Sequence, residues 1–251
     1  MSIPLPHDHI KPFNDPEKTK KEQVREMFDD IAAGYDKMNR LLSAGIDLRW
    51  RKKAIRMLKK HNPQKILDVA TGTADMAILT CKMLNPEKIT GIDISEEMLK
   101  IGRQKVEKEG FGKQIELLKG DAEAINFPDT SFDGIMVAFG VRNFENLKKG
   151  LKELLRVLKP GGQLIILEFS KPKYILFRKI FYLYMRIVAP QMAGWFRQNK
   201  KAYAYLNESS KAFPDREHFI ELLTQSGFTA CTCKPLSFGI CCIYSARRLK
   251  D

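Results

Sequence analysis

The chain predicts an α/β fold of Rossmann-like type: a mostly parallel seven-stranded sheet, helices on both faces, and a C-terminal antiparallel hairpin. Two observations carry this. From Lys65 to Phe169, apolar runs of strand length alternate with amphipathic runs of helix length, the signature of βαβ units. The first strand also ends in a glycine turn, Asp68-Val69-Ala70-Thr71-Gly72-Thr73-Ala74-Asp75, and the second ends in Asp93. That arrangement places a nucleotide-like ligand beyond the carboxyl ends of the strands.

The elements follow in order. Residues 1–20, with Pro4, Pro6, Pro12 and Pro16, read as a flexible tail ahead of one domain spanning 21–251. Within it, 21–62 forms a helical lid. Val24, Met27, Phe28 and Ile31 recur at helical spacing, and a second helix from about Leu48 carries an apolar stripe of Trp50, Ala54, Ile55 and Leu58 with a basic, solvated face. Strand one is Lys65 to Ala70, strand two Lys88 to Asp93, strand three Gln114 to Lys119, strand four Phe132 to Phe139 and strand five Gln163 to Phe169. Helices Met76 to Leu84, Ser95 to Glu109 and Leu147 to Leu158 lie between, with Ser95 as a cap and Pro160-Gly161-Gly162 as a stop. Residues 171–213 form a helical cap insertion. A last helix, Asp215 to Ser226, precedes strands Phe228 to Lys234 and Ile240 to Arg247, which suit the hairpin.

The balance of 43 basic against 30 acidic residues gives +13, which points to an anionic partner surface, nucleic acid or phospholipid. The run Tyr174 to Trp195 mixes aromatics with Arg178, Lys179 and Arg186, too many cations for a membrane span but suited to dipping into headgroups. No apolar leader precedes Lys21, so the expected place is the cytoplasm. Five cysteines, four of them late, do not suggest a disulfide framework. Cys231 and Cys233 share a strand face while Cys241 and Cys242 oppose, so no metal site is expected.

One glycine in the turn is fewer than a dinucleotide site uses, and Asp75 would repel a phosphate there. A cationic ligand with a free ribose fits better, and S-adenosyl-L-methionine has both properties. Asp93 is placed for the ribose hydroxyls. Asp121, with Ala122, is placed for an adenine edge. Asp68 and Asp75 are tolerable beside a sulfonium; the plainer reading of Asp75 is a helix-terminal carboxylate facing water. Glycine turn, ribose acid and adenine acid in this order resemble class I S-adenosylmethionine-dependent methyltransferases from Lys65 to Phe169.

Three further segments narrow the resemblance. Met27 to Ser43 (MFDDIAAGYDKMNRLLS), Phe139-Gly140-Val141-Arg142-Asn143, and Tyr203 to Ser209 with Phe213-Pro214 resemble the ubiquinone/menaquinone biosynthesis C-methyltransferase family. The resemblance covers about Glu22 to the end. It implies methylation of a ring carbon of a prenylated quinol, demethylmenaquinol or its ubiquinone-pathway counterpart, and a peripheral position on the inner face of the membrane. It implies cofactor contacts at Thr73, Asp93, Asp121 and Ala122, with Asp68 and Gly72 shaping the turn. Ala74 and Ala138 depart from the glycine and serine usual there. Arg142 is then expected to stabilise a phenolate or position a water, with Asn143 orienting the oxygen and Tyr35 packing on substrate from the lid. The competing readings are a loop-holding salt bridge for Arg142 and a core position for Tyr35. Tyr205 is placed on the cap side, and His218 is read as solvent-facing. An RNA methyltransferase has only charge in its favour, so no nucleic-acid partner is expected, and homo-oligomerisation is left open.

Overall fold

The computed structural model describes residues 5–13, 15–172, 179, 183 and 200–250. The aromatic, basic run from Tyr174 to Trp195 therefore lies outside the described residues, apart from Lys179 and Leu183. Three helices come first: α1 Lys20–Ile31, α2 Tyr35–Leu42 and α3 Ile46–Lys59. The alternating part follows as β1 Lys65–Val69, α4 Asp75–Leu84, β2 Lys88–Asp93, α5 Glu96–Lys108, β3 Ile115–Lys119, β4 Phe132–Ala138, α6 Leu147–Val157 and β5 Leu158–Phe169. Helices α7 Lys200–Ala212 and α8 Glu217–Gln225 lead to β6 Thr229–Leu236 and β7 Cys241–Arg247.

These strands form one seven-stranded sheet in the order β3-β2-β1-β4-β5-β7-β6. The first five are parallel, and β7 runs antiparallel to both β5 and β6, as the sequence predicts. The order reverses between β1 and β4, which puts the ligand crevice above their carboxyl ends. The largest boundary difference is at β5, which starts at Leu158 because that residue pairs with Phe132; the register shifts across Lys159-Pro160-Gly161-Gly162 before Gly134 meets Gln163.

Side-chain alternation divides the core between the two faces. On one face Leu67, Val69, Ile135, Val137, Ile166 and Tyr244 pack against α6 and α8. On the other, Ile66, Met136, Ile165, Leu167 and Ile243 pack against α3, α4 and α5, where Trp50, Ala54, Ile55 and Leu58 form the buried stripe of α3. Each fully buried large aliphatic side chain contributes about 1.5–3 kcal/mol of transfer free energy, so this two-sided burial fixes the sheet that carries the site.

The opening segment is not loose throughout, contrary to the expectation for residues 1–20. Residues Pro6–His9 form a short 3-10 turn whose His7 ring is fully buried, edge-on to Phe213 at 5.8 Å, and burial pushes its pKa down to about 3. Prolines rule out a helix or ladder but do not prevent packing. The buried Gln23 side chain accepts from Phe13 N at 3.0 Å and donates to the Asp15 and Lys18 carbonyls. Lys20 donates to the His7 carbonyl at 2.8 Å and the Arg142 carbonyl at 3.3 Å, and burial lowers its pKa to about 8. A Thr19–Glu22 capping box starts α1 above this strap and contributes about 1 kcal/mol.

Candidate active site

Three adjoining hollows lie over the carboxyl ends of β1, β2 and β4. The first is a narrow cleft of about 70 Å³ lined by Gly72, Asp93, Asp121, Ala122 and Asn143, with Val24 and Phe28 of α1 as its roof. The second is a small polar pocket lined by Asp68, Gly72, Thr73, Asp75 and Asp47, with Arg51 as its cation. The third is an apolar cavity of about 360 Å³ between α1, α2, α3, α7 and the ends of β4 and β5, walled by Trp50, Phe139, Phe169, Arg142 and Tyr205. Tyr35 lines all three and marks their junction.

The backbone explains why they converge. Gly72 sits at φ +56° with open space where a Cβ would stand, leaving the turn bare toward the cleft. Gly140 is a point of close approach: a Cβ there would lie 2.6 Å from that of Ala70, so only glycine lets the two loops meet. Ala70 and Ala74 flank the turn at φ +53° and +63°, a left-handed conformation costing alanine about 1 kcal/mol. The methyl of Ala74 is fully buried under α4 and takes no part in the pocket lining.

In the cleft, the Asp93 carboxylate is held by two backbone donors, Gly72 N at 2.8 Å and Ser95 N at 2.9 Å. Burial nevertheless raises its pKa to about 6. Each oxygen keeps a lone pair for a further donor. Asp121 accepts from Glu123 N at 2.8 Å and from Lys21 Nζ of α1 at 2.6 Å, so a cation occupies the side expected to face an adenine amine. Sequence reasoning missed Lys21. Its place in the first turn of an amphipathic helix gave no signal beyond a solvated charge.

The polar pocket is walled by ion pairs. Thr73 Oγ1 donates to Asp36 at 2.6 Å, Lys105 bridges Asp36 and Asp75, and Arg40 joins Asp75 at 3.2 Å to Asp47 at 2.6 Å. Asp75 is thus paired rather than water-facing or free for a sulfonium. Asp68 Oδ2 accepts from Thr71 at 2.7 Å while Oδ1 has no protein partner, and burial pushes its pKa up to about 7. Arg51, 9 % exposed, lines the same pocket with its Nε 3.7 Å from Asp47 Oδ2 and free of hydrogen bonds, and its guanidinium 5.4 Å from the Phe139 ring. The sequence reading counted Arg51 among the basic residues of α3 and did not single it out. Its spacing with Ile55 and Leu58, four and seven residues on, was the signal that it shares the buried side.

At the cavity, Arg142 is where the sequence places it, at the mouth of β4, and it is a buried ion pair as well. Its Nη1 donates to Glu168 Oε1 and to the Phe139 carbonyl, both at 2.7 Å, and its guanidinium lies 5.4 Å from the Phe169 ring. Its Nε has no partner. Glu168, fully buried, was not singled out, though a carboxylate inside Leu164 to Phe169 had to find a cation. Asn143 accepts the Tyr205 hydroxyl at 3.1 Å, which ties α7 to the β4 loop. Tyr35 packs edge-to-face on Phe28 at 5.9 Å, and burial raises its pKa. His218 is exposed, and no cluster of metal-ligating side chains occurs among the described residues.

Comparison with known proteins places this arrangement. Solved structures of similar fold include the [4+2]-cyclase SpnF (TM-score 0.66, 16 % identity, 92 % of this chain and 97 % of that one). Another is a SAM-dependent methyltransferase of Thermotoga maritima described as a possible histamine N-methyltransferase (TM-score 0.65, 18 %, 90 % and 99 %). At such identities they establish the fold alone. Sequence relatives are much nearer: the demethylmenaquinone methyltransferase of Bacteroides fragilis is 46 % identical over 243 residues, covering 97 % of this chain and 99 % of its own. The ubiquinone/menaquinone biosynthesis C-methyltransferase UbiE of Geobacter sulfurreducens is 43 % identical over 230 residues, covering 91 % and 90 %. The model of the ubiE/COQ5 methyltransferase family matches residues 16–248. The chain belongs to the ubiE/COQ5 methyltransferase family and is a methyltransferase.

Proposed function

We propose that the protein uses S-adenosyl-L-methionine to methylate a ring carbon of a prenylated quinol, demethylmenaquinol before any other. The observation that carries this reading is the apolar cavity of about 360 Å³ beside the polar pocket and cleft, with the guanidinium groups of Arg51 and Arg142 at its wall. A flat aromatic ring suits Phe139, Phe169 and Trp50, which form an aromatic wall with ring centroids 4.7–6.5 Å apart. The names of the relatives support menaquinone first; the UbiE name covers the ubiquinone-pathway benzoquinol too, which is the second reading.

The residues present fit the cofactor. Two buried atoms of the polar pocket, Asp68 Oδ1 and Arg51 Nε, make no hydrogen bond within the protein, the latter lying 3.7 Å from Asp47 Oδ2, and are of opposite kind. An amino-acid end carries one ammonium and one carboxylate, which these would hold. Asp93 would take the ribose hydroxyls, and Asp121 with Ala122 the adenine edge once Lys21 yields or shares. When bound, the cofactor supplies an electrophilic methyl on a sulfonium. A hydroquinone that loses a phenolic proton becomes nucleophilic at the ortho carbon, so a cation that lowers the phenol pKa promotes reaction. Arg142, its charge already balanced by Glu168, would do so through its free Nε, and Asn143, braced by Tyr205, would orient the oxygen. Asp47 is the one carboxylate of the cavity lining and is engaged by Arg40 and Ser43, so the wall offers a cation rather than a base. The carbon that gains the methyl then gives up its proton and the ring regains aromaticity. Tyr35, at the junction, would pack between cofactor and substrate.

Cavity filling tests the reading. Leu206→Trp, on the cavity wall, is expected to raise the KM for demethylmenaquinol at least about tenfold while leaving adenosylhomocysteine binding unchanged. Unchanged quinol kinetics, or methylation of RNA in preference to quinol, would overturn it.

A further inference from the structure

We infer that the turn between α2 and α3, the outer face of α3 and the β6–β7 turn form the face by which this protein docks on an anionic phospholipid bilayer. The inference deepens the proposed function, since it rests on the reading that a membrane-resident quinol fills the apolar cavity. The sequence suggested membrane contact through the cap around Tyr174 to Trp195. That run lies outside the described residues apart from Lys179 and Leu183, and the inference rests on other segments.

Seven large hydrophobic side chains are exposed among the described residues, and four of them, Leu41, Ile46, Leu48 and Phe238, belong to the segments that supply Leu42, Ile46, Asp47 and Ser237 to the cavity lining. Leu42, Ser43, Ala44 and Ile46 line the cavity from the α2–α3 turn, and Ser237 and Ile240 line it from the other side. The Trp50 indole donates to Ser237 Oγ at 2.9 Å and fixes the two turns together, so Leu48 and Phe238 are neighbours of the cavity lining on either flank. An apolar rim around an apolar cavity is what a substrate passing out of hydrocarbon would meet.

Beside that rim runs a cationic ridge. Arg49, Lys52, Lys53, Arg56 and Lys60 of α3 and its end line one shallow groove with Lys234 of β6, and no Asp or Glu shares it. All six are exposed, and none is paired with a carboxylate among the described residues. Like charges gathered without counter-charge repel one another, and an anionic headgroup layer relieves that repulsion. The remaining face of α3, with Trp50, Ala54, Ile55 and Leu58, is the sheet-packing stripe, so the helix is amphipathic in a second sense: core below, headgroups above. A nucleic-acid backbone would also satisfy the charge, but it has no use for four exposed apolar side chains at the edge of the ridge. A bilayer uses both, with apolar tips below the headgroups and cations among them.

The test is flotation of the full chain with phosphatidylcholine vesicles containing phosphatidylglycerol, against phosphatidylcholine alone, with no quinol present. Expected are binding to the anionic vesicles, its loss at high salt, and at least about tenfold weaker partitioning for Lys52→Glu/Arg56→Glu and for Leu48→Ser/Phe238→Ser. Both double variants should methylate a short-chain demethylmenaquinol in detergent at the parent rate, which separates docking from catalysis and reports that they fold. Equal partitioning of parent and variants, no preference for anionic vesicles, or tight RNA binding that depends on the same lysines without vesicle binding would each overturn the inference. Failure of the detergent assay in the parent would instead count against the proposed function.

Discussion

Replacing Asp68 with asparagine should change how stability depends on pH. The carboxyl is 1 % exposed, has one protein donor and one free oxygen, and burial raises its pKa from 3.8 to about 7. A group whose folded pKa lies above its unfolded one holds its proton more tightly in the native state. Its stabilisation is complete below the unfolded value and is lost as pH rises through the folded value. At about 1.4 kcal/mol per unit, the interval from 3.8 to about 7 corresponds to a loss of about 4 kcal/mol. Asparagine has no proton to lose. Urea unfolding of both proteins should therefore show the variant gaining on the parent by up to about 4 kcal/mol between pH 4 and pH 8, most of it below pH 7. A difference that stays constant across this range would refute the reasoning, since Asp68 would then be charged throughout in the folded protein. A ligand ammonium at Oδ1 should also draw off the proton. Adenosylhomocysteine affinity should thus rise with pH toward neutrality in the parent and rise less in Asp68→Asn, where Asp93 remains to titrate.

Arg142→Lys keeps a cation beside Glu168 but loses the planar fork, so kcat with demethylmenaquinol should fall on the order of a hundredfold with adenosylhomocysteine affinity unchanged; a parent-like kcat would leave Arg142 a merely structural role. Lys21→Met removes a half-exposed cation from Asp121, and calorimetry should show adenosylhomocysteine binding tightened by up to about fivefold. Weaker binding would mean that the pair holds the roof of the cleft in place. Gly140→Ala should cost about 1–3 kcal/mol in thermal unfolding because its Cβ meets that of Ala70 at 2.6 Å, and Ala70→Gly in the same chain should recover most of it. Strictly additive effects would show that the two loops do not touch.

The succession of strands and helices, the glycine turn and the acids at 93 and 121 were legible because they depend on local patterns: apolar period, turn chemistry and a carboxylate at a strand end. Arg142 was legible from its motif, but its partner Glu168 was not singled out, because the apolar pattern of β5 drew the eye past one charge in a buried strand. Arg51 and Lys21 were missed for a related reason. Both lie in basic helical runs, where composition suggests solvent and only the helical face decides. The packed segment Pro6–His9 could not be read at all, since its order comes from Lys20, Gln23 and Phe213, partners distant in sequence that no local pattern announces. Charge likewise gave the sign of a partner surface without its location, which required knowing that α3 and the β6–β7 turn meet.

Carbon methylation of a quinol ring held in the apolar cavity leaves a product that identifies the acceptor atom. The most direct measurement gives the protein methyl-labelled S-adenosylmethionine and demethylmenaquinol kept reduced, then locates the label in the product by carbon NMR. Label on a ring carbon, formed from the quinol and not from the oxidised quinone, is the expected result. Label on a phenolic oxygen, equal transfer to the quinone form, or no transfer by protein that binds the cofactor would overturn the proposed function.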